Sequence, residues 1–343
     1  MQEIIIKKNE AGQRFDKFLC KYFKEATSSF IYKMLRKKNI ELNSKKATGN
    51  EKLVEGDSIK IFMADDTIAK FRGSTITIAN NSKTSEKINT KVIRENIIYE
   101  DENILIVNKP VGILSQKATP TDISINEMFI EYLLEDNKIS KEELETFKPS
   151  VCNRLDRNTS GLITFGKTLQ GVQELSNGFK LRTFDKYYLA AVWGEVKNSS
   201  SIDGYLYKDN KTNKVYISKE AIEDGSYIQT SYEPLKTTYI QINNKNMPIT
   251  LLKIKLITGK THQIRAHLAS INHSLLGDDK YGNSKLNIEL KKNYKINYQI
   301  LHSYELDFKD TTNLKALKAL NNIVIKAPIT DIINKLFDIK NKE

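Results

Sequence analysis

The chain has 343 residues, 39% of them hydrophobic and 28% charged, which places it among globular proteins and excludes a disordered or fibrous polymer. At that length two or more domains are expected. A formal charge of +12 points to a polyanionic partner, nucleic acid or an anionic membrane, although a general abundance of lysine would give the same sum. The opening "MQEIIIKKNEAGQ" lacks the apolar stretch of a signal peptide, and no apolar run approaches the length of a membrane helix. Cys20 and Cys152 are the only cysteines and lie far apart. The expectation is a cytoplasmic protein with two reduced thiols.

In "RFDKFLCKYF", Phe15, Phe18, Leu19 and Phe23 fall at helical spacing and predict one apolar face. "SSFIYKMLRKKNIELN" repeats the pattern behind capping serines, through Ile31 and Leu35, and "SIKIFM" alternates like a strand after the turn "EGD". Between Phe30 and Lys46, the cations Lys33, Arg36, Lys37, Lys38, Lys45 and Lys46 face only Glu41. Such a cluster is either a solvated helix face or a contact surface for phosphates. The order helix, basic turn, helix, strand resembles the alpha-L RNA-binding module on "RFDKFL", "YKMLRKKNIELNSKK" and "LVEGDSIKI". Lys33, Arg36, Lys37 and Lys38 are accordingly candidate RNA ligands.

Residues 73 to 90, "GSTITIANNSKTSEKINT", are polar and weakly patterned, as a linker would be. Beyond them "NIIYEDENILIVNKPVGILSQ" predicts two strands about an acidic turn. Further strands follow in "GLITFGK", "KYYLAAVWGEV", "TLLKIKLITG" and "QILHSYELDF", with helices in "QGVQELSNGFK" and "THQIRAHLASIN". Strands without strict strand–helix alternation imply an α+β fold: a small N-terminal module, then a larger domain on a mixed, mostly antiparallel sheet. The expected division is 1–70 for the module, 71–90 for the linker, 91–330 for the larger domain and 331–343 for a C-terminal tail.

"LITGKTHQIRAHLASIN" contains the Gly-Lys-Thr of a phosphate-binding loop, but the glycine required five positions earlier is Ile254, so that reading fails. Strand, turn and helix fit better. Ile264, Leu268 and Ile271 form a buried stripe, with Thr261, His262 and Gln263 in the first turn, where free N–H groups and the helix dipole favour anions. Arg265 lies one position round and can reach over the helix N-terminus. The four histidines, at 262, 267, 273 and 302, are not spaced to align two imidazoles for a metal, and no cysteine cluster accompanies them. His302 therefore reads as structural, and no metal is expected. In "KYYLAAVWG" the alternation of a strand sends Tyr187 and Tyr188 to opposite faces, so only one can enter a given cleft.

"NRLDRNTSGL", "KYYLAAVWG", "LITGKTHQIRAHLASINHSLLGDDKYG" and "LHSYELDF" stand in the order and rough spacing of the RluA/RluC/RluD family of bacterial RNA pseudouridine synthases, which the chain resembles over nearly its whole length. "NKPVGILSQ" is similar to that family's lead-in. The resemblance implies isomerisation of uridine to pseudouridine without a cofactor, with Asp156 as the catalytic carboxylate, Arg265 as its ion-pair partner and Tyr188 stacking on the base or taking its proton. Arg154 would contact RNA beside the extruded nucleotide, with Lys260, His262 and Gln263 as further RNA ligands. The N-terminal module favours large-subunit (23S) ribosomal RNA over transfer RNA as the partner. No protein partner is implied, and a monomer is expected. Two positions depart from the family: Asn153 stands where histidine is usual, and Lys260 where arginine is usual. The first removes a ring near the RNA, and the second keeps a charge without the bidentate fork.

Two other classes compete. A non-catalytic RNA-binding or ribosome-assembly factor could keep this fold, but Asp156, Tyr188 and Arg265 are all present. A ribonuclease would need a histidine pair or a carboxylate cluster that the motifs do not supply. A nuclease shortens RNA, a synthase leaves its length and mass unchanged, and a binder changes nothing covalent.

Overall fold

The computed structural model describes residues 1–73, 88–209, 212 and 214–339. Its N-terminal part runs β1 (Gln2–Ile5), α1 (Phe15–Tyr22), α2 (Ser28–Arg36), β2 (Ile40–Leu42), β3 (Lys45–Lys46), β4 (Ser58–Ile61) and α3 (Asp65–Arg72). The strands form an antiparallel sheet in the order β1-β4-β2-β3. Phe15, Phe18, Leu19 and Phe23 pack with Ile31 and Leu35 against Ile59 and Ile61, so the two amphipathic helices close one core on this sheet. The cap of α2 is Thr27, whose Oγ1 accepts from the Phe30 N–H, and not the serines that follow it. Asn43 and Ser44, both with positive φ, make the tight turn between β2 and β3 and carry Lys45 and Lys46 outward.

Residues 71–90 were expected as linker: Phe71 and Arg72 complete α3, and 74–87 lie outside the described residues. Arg72 forms an ion pair with Glu145 at 2.7 Å and lies 4.7 Å over the Tyr22 ring, joining the first domain to the second.

The second domain begins with α4 (Lys91–Arg94), β5 (Ile97–Glu100), β6 (Ile104–Lys109), α5 (Ile125–Glu135), α6 (Glu143–Thr146), β7 (Ser150–Val151), β8 (Ser160–Gly166) and α7 (Leu169–Leu181). It continues through β9 (Phe184–Trp193), β10 (Ser200–Asp209), β11 (Lys214–Ser218), β12 (Ser226–Ile242) and β13 (Lys245–Leu256). It ends with α8 (Gln263–Ser270), α9 (Ser284–Tyr294), β14 (Leu301–Phe308), β15 (Ile323–Lys326) and α10 (Asp331–Phe337). These strands form one sheet ordered β11-β10-β12-β13-β9-β14-β8-β6-β5, with β7 added to β8 and β15 to β14. Every pairing is antiparallel except that of β14 with β8, where His302 meets Ser160 and Ser303 meets Gly161. The result is the mixed, mostly antiparallel α+β sheet that the strand-rich sequence implies.

Alternation along β9 shows how the sheet is buried on both faces. Tyr188, Ala190 and Val192 join Ile163, Phe165 and Ile254 beneath α5 and α8, whereas Leu189, Ala191 and Trp193 join Leu251, Leu290 and Phe337 on the other side. Residues 331–343, expected as a tail, instead begin with α10, whose Ile333 and Phe337 are fully buried in that second core. An amphipathic seven-residue segment with an apolar face to cover gains more from docking than from remaining solvated.

The line where β14 crosses to β8 is tight. A Cβ at Gly161, where φ is 106°, would stand 2.1 Å from the Ser303 carbonyl oxygen, so only glycine allows this pairing. That pairing holds the start of β8, and with it the loop that precedes it. Cys20 and Cys152 are both unpaired thiols. Among the described residues no helix is long and apolar enough to cross a membrane.

Candidate active site

The loop from Cys152 to Thr159 carries Arg154, Asp156 and Arg157, and its shape is fixed by side chains that turn inward. Asn153 is one of them: its Oδ1 accepts from both the backbone N–H and the hydroxyl of Thr164, at 2.7 and 3.0 Å, and its Nδ2 donates to the Leu162 carbonyl. The departure at 153 thus supplies an anchor on β8. Ser115 brackets Leu155, donating to its carbonyl at 2.8 Å and accepting from its N–H at 3.0 Å.

Lys109 is the third anchor and was not singled out from sequence. It is fully buried, and its ammonium donates to the carbonyls of Pro110, Ile113 and Arg157 at 3.0, 2.9 and 3.2 Å. Burial pushes its pKa down to about 7, against the pull of the Asp156 carboxylate. The signal was present in "ILIVNK": Leu105, Val107 and Lys109 share one face of a strand, so a lysine there has to point inward.

The arginines adjacent in sequence do not neutralise Asp156. Arg154 and Arg157 are exposed, and the partner is Arg265, 109 positions away, whose Nη1 donates to Asp156 Oδ2 at 2.9 Å. Arg265 is held from behind by Asp278, a fully buried carboxylate that accepts from Nε and Nη2 at 2.7 and 2.9 Å. Asp278 Oδ1 also accepts the N–H groups of Lys280 and Tyr281. Burial works against the charge on Arg265, but Asp278 and Asp156 outweigh it and hold the guanidinium pKa above its ordinary value. Burial likewise opposes ionisation of Asp278, and Arg265 reverses that, keeping the carboxyl below the usual carboxylate range. A fixed, doubly anchored cation therefore faces one oxygen of Asp156. Among the described residues nothing donates to the other oxygen, and the side chain is 28% exposed.

The helix after β13 begins at Gln263 rather than two residues earlier. His262 is its N-cap in the left-handed region, at φ 53°. The imidazole stands 3.8 Å from Asp156 and bonds the Tyr281 hydroxyl through Nδ1 at 3.0 Å. Burial lowers its pKa despite Asp156, so at neutral pH it is an uncharged neighbour. Gln263, expected among the RNA ligands, is 2% exposed, and its amide is committed to protein: it donates to the Gln229 carbonyl and Thr230 hydroxyl and accepts from Thr258 and the Lys260 N–H. A side chain with that many internal partners shapes the turn and has no capacity left for a ligand.

Tyr188 faces the same space as Asp156, and Tyr187 turns away, with Lys253 4.4 Å from its ring. A bulge in β14 at Tyr304, opposite this pair, re-registers the ladder where Tyr188 meets Ser303. Burial and the Asp156 charge push the phenol to about 12, with a Ser303 hydrogen bond working the other way, so at neutral pH the hydroxyl is protonated.

Asp156, Arg154, His262 and Arg265 lie where two lobes of one cleft meet. One lobe, of about 430 Å³, runs past Tyr188, Lys186 and Lys260. The other, of about 550 Å³, runs past Lys117, Arg157 and Lys280. In the first lobe Asp156 is the only carboxylate among five cationic side chains. Lys33, Arg36, Lys37 and Lys38 are exposed on the first domain and line neither lobe. His302 is buried behind the site, bonded to Ser160 at 2.8 Å. No cluster of metal-ligating side chains occurs among the described residues.

Residues 103–270 match the sequence profile of the RNA pseudouridylate synthase family. An uncharacterized RNA pseudouridine synthase of Mycoplasma capricolum is 30% identical over 96% of this chain and 98% of its own length. A ribosomal large subunit pseudouridine synthase C of Buchnera aphidicola subsp. Acyrthosiphon pisum is 32% identical over 95% and 93%. The structure of human RNA pseudouridylate synthase domain containing 4 shares the fold, with a TM-score of 0.53 and 19% identity over 72% of this chain and 95% of that one. A carboxylate clamped by an anchored arginine, beside a buried tyrosine in a basic cleft, therefore sits in a chain that belongs to the RNA pseudouridine synthase family, isomerases acting on RNA.

Proposed function

We propose that the protein converts uridine to pseudouridine in large-subunit ribosomal RNA, with Asp156 as the catalytic carboxylate acting on an extruded uridine. The observation that carries this is the first lobe of the cleft: one carboxylate, held by Arg265 and surrounded by cations that suit a phosphodiester chain. The reaction breaks the N1–C1′ bond and forms C5–C1′; C5 loses a proton and N1 gains one, so nothing is oxidised and no group enters from outside. Arg265 occupies Oδ2 and holds the carboxylate in place, leaving Oδ1 to meet the ribose carbon or the C5 proton. Extraction of the base from its stack is compensated in part by a flat aromatic wall, which Tyr188 provides.

Because Tyr188 is a phenol at working pH, its hydroxyl acts as a hydrogen-bond or proton donor and not as a phenolate base. Tyr188→Phe keeps the wall and removes the donor. Its kcat should fall by roughly 10²-fold, the size of a typical general-acid contribution, with KM little changed. Equal single-turnover rates for the two proteins would restrict Tyr188 to stacking.

Ribosomal RNA is favoured by relatives that carry that substrate in their names and align over nearly the whole chain, first domain included. The six exposed cations of α2, the turn after it and the β2–β3 hairpin then add phosphate contacts away from the cleft. If about five meet phosphates, changing all six to glutamine should flatten the slope of log affinity against log salt by about four units. Substitution is the cleaner test here, since removing the domain would strip Arg72 from Glu145. An unchanged slope would remove the support for a large folded RNA. The function itself is tested by incubating the protein with unmodified large-subunit RNA and mapping pseudouridines: new pseudouridine in RNA of unchanged length is expected, and shortened or unmodified RNA would overturn the reading.

A further inference from the structure

Lys186 lies two residues before Tyr188 on β9, hence on the same face of the sheet and roughly 7 Å further along it. It lines the same lobe of the cleft. Its neighbours on the opposite face are matched by carboxylates: Lys253 pairs with Glu305 at 3.2 Å and Lys255 with Asp185 at 2.8 Å. Lys186 has no such partner. Among the described residues no carboxylate approaches its ammonium and no acceptor bonds it; the contacts are the Phe179 ring, 5.7 Å away, and the turn at Gly259, where a Cβ would come within 3.1 Å. The side chain is half-buried, and this partial burial, with repulsion from Arg182, depresses its pKa, as expected of a cation partly withdrawn from water without a counterion. Such a group costs free energy in the free protein and is stabilised when an anion arrives. The lobe that Lys186 lines cannot supply that anion, because its single carboxylate is bound by Arg265.

We propose that Lys186 is the phosphate-binding residue of the active-site cleft, receiving a backbone phosphate that flanks the extruded uridine while Tyr188 meets the base. The placement suits one nucleotide bridging the two side chains, and the exposed Lys180 and Lys260 on the same lobe continue the basic path along the strand. This rests on the reading that the cleft takes a flipped uridine. It differs from that reading in predicting a contact to a charged phosphate oxygen, which can be removed without touching the base.

The test uses full-length protein, a large-subunit RNA stem-loop that the wild type binds, and the same RNA carrying a single neutral methylphosphonate either 5′ or 3′ of its loop uridine. Lys186→Met should raise KM at least tenfold, change kcat less, and flatten the salt slope of binding by about 0.7–0.9, one phosphate's worth. Lys186→Arg should recover most of the loss. At one of the two positions the methylphosphonate should weaken binding to the wild type as much as the substitution does, and should have no further effect on Lys186→Met. If the variant responds to both methylphosphonates as fully as the wild type, or keeps the wild-type salt slope, Lys186 does not hold a phosphate. The binding cycle needs no turnover, so it is decided separately from the function: wild-type protein that binds with this coupling yet forms no pseudouridine would overturn the catalytic reading and leave the phosphate contact standing.

Discussion

Asp156→Asn should cut pseudouridine formation by on the order of 10³-fold or more, the scale set by removal of an essential acid/base or nucleophilic group, while melting temperature stays close to that of the wild type. The fold should not notice, because asparagine has the same shape and its carbonyl oxygen can still accept from Arg265 Nη1. Arg265 also remains fixed and neutralised by two bonds to Asp278. RNA affinity should hold or rise, since the lobe loses its only negative charge and keeps its five cations. Single-turnover assays beside binding isotherms separate these effects. A variant within tenfold of the wild-type rate would show that Asp156 is not the reacting group.

The same chemical change at the second carboxylate of Arg265 should, unlike the first, destabilise the fold. Asp278→Asn leaves Arg265 buried with half of its charge compensation gone, and breaking a buried ion pair on one side costs about 3 kcal/mol. For a domain of this size that lowers the melting temperature by roughly 10 °C. Turnover should fall too, because Arg265 then presents itself to Asp156 less rigidly. The linkage has a definite sign. Asp278 has a carboxyl pKa below its unfolded value, so its contribution is complete above about pH 4 and is lost as pH falls through the folded value. Wild type and variant should therefore differ most near neutrality and converge on acidification below about pH 4. A constant gap down to pH 2, followed by chemical denaturation, would mean that the ion pair is not the source of the stability.

Taken together, the two substitutions distinguish carboxylates that look alike in sequence. Asp156 has one oxygen occupied and one facing the cleft. Asp278 has both oxygens bonded and none exposed. A carboxylate with spare acceptor capacity at a cleft can do chemistry, and a saturated one can only position its neighbours.

Local rules alone determined a good part of this protein. Helical spacing placed the buried face of α1, strand alternation allowed only one of Tyr187 and Tyr188 into the cleft, and the family resemblance of the ordered motifs implied Tyr188 together with Asp156 and Arg265. These features depend on a few consecutive residues or on the identity of motif positions, which a one-dimensional reading retains. Tertiary structure decided which charges meet. Arg154 and Arg157 flank Asp156 in sequence yet point to solvent, and Arg265 reaches it only because α8 docks beside the β8 loop. Gln263 turned inward because the β12–β13 hairpin brought Gln229 and Thr230 to its amide. The roles of Lys109 and Asp278 likewise follow from burial and long-range partners, and α10 docks on a core assembled from strands far earlier in the chain. Electrostatic partnership depends on distance in space and on the water left between two groups, and neither quantity exists until the sheet has closed.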